Sequence, residues 1–161
     1  MSRRIKSNML NKFLSKHIFF LYLYFNKSKL YKPTTMTNIK LGSFSISLTV
    51  KDIHKSKEFY EKLGFTYKGG DINHKWIVLK NGNAIIGLFE GMFDKNIITF
   101  NPGWDENAQN IENFDDVRAI QTHLISSGVE LTREADPNTS GPEYITLTDP
   151  DGNNILIDQH R

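Results

Sequence analysis

The residues of this 161-residue chain that suit binding or chemistry fall into a small set. There is no Cys, which excludes a thiol nucleophile, thiolate zinc ligands and disulfides. Of the five histidines, His17 lies in a basic N-terminal arm, and His54 and His123 fall on helix-like stretches and read as surface residues. His160 lies at the chain end, where the reading expects mobility, and His74 opens an alternating run that continues to Lys80. Alternation in that run puts Trp76 and Val78 on one face and Ile77 and Leu79 on the other. Likewise Ser45 and Ser47 stand opposite Ile46, Leu48 and Val50, and Tyr144 stands opposite Ile145. The polar and aromatic face then collects Ser45, Ser47, His74, Trp76, Gln109, Tyr144 and Leu156 as candidate ligand-binding residues. Hydroxyls, a large indole surface and apolar side chains together suit a small organic molecule. His74 and Glu90 are the candidate catalytic groups.

The elements that must position these residues occur twice. Val50-Lys51-Asp52-Ile53 leads through Phe59-Tyr60 to Leu63-Gly64-Phe65, and Phe114-Asp115-Asp116-Val117 leads through Leu124-Ile125 to Gly128-Val129. In each copy an Asp suits the helix N-cap, where its oxygen accepts backbone N–H groups and its charge meets the positive helix end. A Gly twelve residues later suits a left-handed helix stop. Asn81-Gly82 and Asp151-Gly152 each join two strand-like runs as hairpins. Each half reads as βαβββ, with modules over 41–90 and 108–160. Residues 91–107 form an aromatic-rich connection expected to pack over a pocket mouth or a partner. The second module is expected to open with a strand over Gln109–Phe114. The predicted helix stripes are Ile53, Phe59, Tyr60 and Leu63, then Val117, Ile120 and Leu124.

Charge divides the chain. Residues 1–40 hold nine Lys/Arg and no acid, whereas residues 41–161 hold eleven Lys/Arg against eighteen Asp/Glu, a net of −7. An acidic domain is a poor match for nucleic acid. The arm over 1–36 is expected to be disordered, and membrane contact is expected only through it. Its apolar run from Ile18 to Phe25 is too short to span a bilayer as a helix. The domain is expected over 37–161, with Met36 as a candidate alternative start and the cytoplasm as the expected location.

The VKDI…FYEKLGF stretch, the TDPDGNNILI stretch and the tandem βαβββ pattern resemble the vicinal oxygen chelate superfamily, which includes glyoxalase I, bleomycin-resistance proteins and extradiol dioxygenases. The resemblance covers residues 41–160. It implies an α+β fold in which two modules form a curved mixed sheet around a cavity, with helices on the convex face. It also implies metal-ligand positions at Ser45, Gln109 and Leu156, and at Ile86 or, with a one-residue slip, Gly87. None is His, Asp or Glu, the side chains that hard or borderline cations need. The expectation is therefore a metal-free, cofactor-free protein that binds, and in one version transforms, a small organic molecule; a homodimer is compatible with it. The alternative is a metal-dependent lyase or dioxygenase with a non-standard site built from His74, Glu90 and Asp158.

Overall fold

The computed structural model describes residues 38–161; the arm over 1–36 and its expected properties lie outside the described residues. The strands are β1 (Ser43–Val50), β2 (Thr66–Asp71), β3 (Trp76–Asn81), β4 (Ala84–Glu90), β5 (Ile97–Asn101), β6 (Leu131–Arg133), β7 (Glu143–Thr148) and β8 (Asn154–Gln159). Two helices join them, α1 (Ile53–Lys62) and α2 (Val117–Ser126), with a short 3₁₀ turn at Ile72–His74. All eight strands form one mixed sheet in the order β2-β3-β4-β1-β5-β8-β7-β6. The order is mirrored about the seam between β1 and β5. These two pair antiparallel, while each pairs in parallel with the last strand of its own half, β1 with β4 and β5 with β8.

Both helices start where their Asp caps dictate. Asp52 accepts the N–H groups of His54 and Lys55, and Asp116 that of Arg118. Gly64 (φ +85°) and Gly128 (φ +81°) supply the left-handed residue after each helix, and Gly128 N–H donates to Ile125 C=O. Beyond the caps, the last strand of each half reaches back to the same helix. Glu90 accepts the N–H of Ile53, and Gln159 accepts that of Val117.

One sheet face carries the helices and two apolar clusters. The first joins Ile53 to Ile77, Leu79 and Leu88; the second joins Val117 and Ile120 to Ile145, Leu147 and Ile157. The expected α1 stripe is narrower than the sequence suggests. Ile53 is buried and Tyr60 partly so, but Phe59 and Leu63 are more than half exposed.

The largest departure from expectation is β5. There is no strand over Gln109–Phe114. The strand that pairs with β1 lies at Ile97–Asn101, inside the stretch read as a connection. Residues 102–116 are instead a loop between β5 and α2, folded on itself by a Trp104–Asn110 bridge and by Asp105, which accepts the N–H groups of Asn107 and Gln109. The second half therefore has the same strand and helix order as the first, with a longer β5–α2 join. No helix among the described residues is long and apolar enough to cross a membrane.

Candidate functional site

The face of the sheet opposite α1 and α2 carries a cavity of about 840 Å³. Strand alternation builds it. On β3, Trp76 and Val78 face the cavity while Ile77 and Leu79 are fully buried on the helix side. On β4, Ile85, Gly87 and Phe89 alternate with buried Leu88, and on β8, Leu156 and Asp158 alternate with Ile157 and Gln159.

Three surfaces differ in chemistry. The floor is the β1–β5 seam, where Ser45 pairs with Thr99 and Ser47 with Ile97. Ser47 Oγ and Thr99 Oγ1 lie 3.0 Å apart and are buried. One wall is aromatic. Trp76 and Phe89 stack at 9° with centroids 6.4 Å apart, and Phe93 leans on Phe89 at 5.1 Å. Gly87 makes this wall possible, because a Cβ there would come within 2.5 Å of the Phe89 ring. Phe93 is held over the cavity by β1, since Thr49 donates its hydroxyl to Phe93 C=O and its N–H to Asn96. The third surface is polar. Asp158, His160, Trp104, Asp105, Glu106 and Lys68 converge there. His160 Nε2 is 3.2 Å from Asp158 Oδ2, and its ring lies flat on Trp104, with centroids 4.3 Å apart and 6° between planes. The hydrogen bond to Asp158 raises the His160 pKa above its ordinary value, against the opposing pull of burial.

Four of the sequence candidates, Ser45, Ser47, Trp76 and Leu156, come together on this cavity. Three do not. His74 sits in the 3₁₀ turn before β3, its ring bonded to Asp71 at 2.7 Å and 79% exposed. Lys75 adopts φ 64°, so the alternation that places Trp76 cannot be carried back to His74. Gln109 is in the β5–α2 loop rather than on a strand. Tyr144 is on β7, which together with β6 contributes nothing to the lining, and its ring lies under the Arg133 guanidinium at 3.5 Å. The candidate catalytic carboxylate Glu90 is also turned away. It points to the helix side, where the Lys75 ammonium and the Ile53 N–H hold its pKa below the ordinary value. A carboxylate so committed anchors α1 and is no poised base.

Sequence reasoning missed Thr99, Phe89 and the Asp158–His160 pair as members of one site; Phe93 lies in the 91–107 stretch expected over a pocket mouth or a partner, and it lines the cavity. The signal for Thr99 was present in the β-branched run Ile97-Ile98-Thr99.

The positions that the resemblance implies for a metal do not fit one. Ser45, Gly87 and Leu156 line the cavity, Gln109 has left the sheet, and Thr99 is the residue that pairs with Ser45 in its place. Ser45, Thr99, Gly87 and Leu156 offer two hydroxyls, a backbone and an isobutyl group, with no carboxylate or imidazole. Asp158 and His160 are committed to each other, and no group of three His, Asp or Glu side chains among the described residues is arranged to hold an ion. His74, Glu90 and Asp158, the alternative set, are dispersed over a turn, the helix face and the cavity respectively.

The chain belongs to the Glyoxalase/Bleomycin resistance protein/Dioxygenase superfamily, whose family model matches residues 42–157. Similar solved structures include a superfamily member from Vibrio splendidus 12B01, at 14% identity and TM-score 0.51 over 72% of this chain and 97% of that one. A protein described as NAD-dependent benzaldehyde dehydrogenase from Legionella pneumophila matches at 14% identity and TM-score 0.54 over 73% and 99%. Homoprotocatechuate 2,3-dioxygenase from Brevibacterium fuscum matches at 19% identity and TM-score 0.52 over 81% of this chain but 40% of that one. At these identities the likeness carries the fold and not the activity. No curated protein matches the chain in sequence.

Proposed function

We propose that this protein binds a small, largely apolar organic molecule in the cavity between two βαβββ modules, and does so without a metal ion. In this reading the modules form a curved sheet with α1 and α2 on its convex side, and the cavity occupies the concave side. The observation that supports it most is the lining itself. Trp76, Phe89 and Phe93 form a continuous aromatic wall above a floor of paired hydroxyls, Ser47 and Thr99. Apolar walls with few convergent polar groups are the pattern of ligand pockets, and about 840 Å³ accommodates a molecule of drug-like size. Aromatic walls reward flat ligands, because offset stacking adds to the gain from area burial. The donor set of the floor supports the metal-free part of the reading, since neutral hydroxyls do not replace carboxylate or imidazole for a divalent cation.

The experiment is a ligand screen on chelator-treated full-length protein, read by tryptophan fluorescence. Trp76 lines the cavity and should report occupancy. Saturable quenching by flat apolar compounds, reduced in Trp76→Phe to what Trp104 at the other end of the lining reports, is the expected result. Quenching only after a divalent metal is restored would overturn it.

A further inference from the structure

The Asp158–His160 pair has no part in the reading above, yet both residues line the cavity and lie against each other. Both chain neighbours of His160 are fixed. Gln159 is 2% exposed, and its amide donates to Asp116, to Gly141 C=O and to Arg161 C=O. The Arg161 guanidinium donates to Ile111 C=O and lies over the Phe114 ring. His160, one residue past the end of β8, lines the cavity and lies flat on Trp104, which is itself pinned through its indole N–H to Asn110.

We infer that His160, oriented by Asp158, is the point at which the cavity recognises its ligand, and that the ligand carries a neutral hydrogen-bond donor, a hydroxyl or N–H, on a flat apolar body. This rests on the proposed ligand-binding function. A carboxylate at Nε2 keeps the neutral imidazole in the tautomer with its proton on Nε2, which leaves the lone pair on Nδ1 as an acceptor. The charges around it select against other ligands. Asp158 on β8 lies against it, and the cavity lining also holds Asp105 and Glu106 from the β5–α2 loop and Lys68 from β2. Three carboxylates against one ammonium disfavour an anionic ligand. Asp105 already accepts two backbone N–H groups through Oδ1, and Asp158 lies against His160. In this inference the acceptor that a neutral donor meets is His160 Nδ1. Protonation converts Nδ1 into a donor, so recognition of a donor-bearing ligand is lost as pH falls through the His160 pKa. Asp158, which favours the imidazolium, moves that loss to higher pH.

The probes are indole and N-methylindole, two flat bodies that differ in one N–H. Calorimetric titration of the full-length chain is run at about pH 8 and about pH 5, on either side of the ordinary His range. The expected result is indole binding at least about tenfold more tightly than N-methylindole at the higher pH, as one hydrogen bond to a committed acceptor allows. The gap should close at the lower pH and in His160→Phe, which keeps a ring against Trp104. In Asp158→Asn the pH at which the gap closes should move down. No gap in the wild-type chain, or a gap that survives in His160→Phe, overturns the inference while the cavity reading stands. Failure of both probes to bind overturns the cavity reading and this inference with it. The pH arm on the wild-type chain decides the matter should His160→Phe fail to fold.

Discussion

Ser47 Oγ and Thr99 Oγ1 meet 3.0 Å apart across the β1–β5 seam, one from each half of the sheet, buried at the floor of the cavity. One hydroxyl donates to the other. Ser47→Ala should therefore cost about 1 kcal/mol by leaving the Thr99 hydroxyl unpaired. Adding the near-isosteric Thr99→Val should cost less than the sum of the two single changes, with a coupling of about 0.5–1 kcal/mol. Denaturant midpoints for the three variants check this. Additive costs would show that the two hydroxyls do not depend on each other.

Trp76 and Ile77 are neighbours with opposite fates. Ile77 is fully buried under α1, whereas Trp76 is 36% exposed on the cavity. Ile77→Ala should cost about 2–5 kcal/mol of stability. Trp76→Ala should cost clearly less, and should weaken binding of a flat probe by about tenfold, since aromatic contact contributes beyond area alone. Chemical denaturation beside a binding titration checks the pair. A larger stability loss for Trp76→Ala would reverse the two faces.

Gly87→Ala tests the aromatic wall from below. The new methyl would stand 2.5 Å from Phe89 Cε2, so the Phe89 ring must swing and break its stack on Trp76. Gly87 lies on a strand at ordinary φ, so the backbone tolerates the change. The expected outcome is a folded protein with weakened probe binding and altered Trp76 fluorescence.

Asp116 links helix α2 to the chain end and sets a pH dependence. Burial raises its pKa, but the Arg118 N–H, the Gln159 amide and the Arg118 guanidinium outweigh burial and hold it below the ordinary value. A depressed carboxyl stabilises the fold above its unfolded pKa and loses that contribution as pH falls through the folded one. The stability gap between wild type and Asp116→Asn should be constant from neutrality to about pH 5 and shrink below about pH 4. A gap that grows in acid would give the shift the opposite sign.

Much of this fold was legible because its signals are local. Asp52 and Asp116 read as caps, Gly64 and Gly128 as stops, and Ile77 and Leu79 as the buried face of β3, each from neighbours a few residues away. The misplaced elements depended on distant partners. Spacing from Asp52 back to β1 placed β5 by analogy at Gln109–Phe114, but the loop over 102–116 breaks that spacing, and the strand is the short run at Ile97–Asn101. Gln109 left the site for that reason. Tyr144 has the right alternation on the wrong strand, since β7 lies outside the cavity lining and no local pattern shows how far a cavity extends across a sheet. His160 read as a loose terminus because the bonds that fix it run from Gln159 to Asp116 and Gly141, far away in sequence.

The central claim is a cavity that binds an organic ligand without a metal, and the melting temperature of the full-length chain tests it most directly. It is measured with and without indole, in chelator and then with added zinc, manganese or iron. The account predicts no change with chelator alone, and a rise with indole that is the same in chelator as with metal. A metal bound at 100 times its dissociation constant would add about 2.7 kcal/mol of stability. A fall of several degrees with chelator, or a rise with indole only after metal is added, would contradict the account.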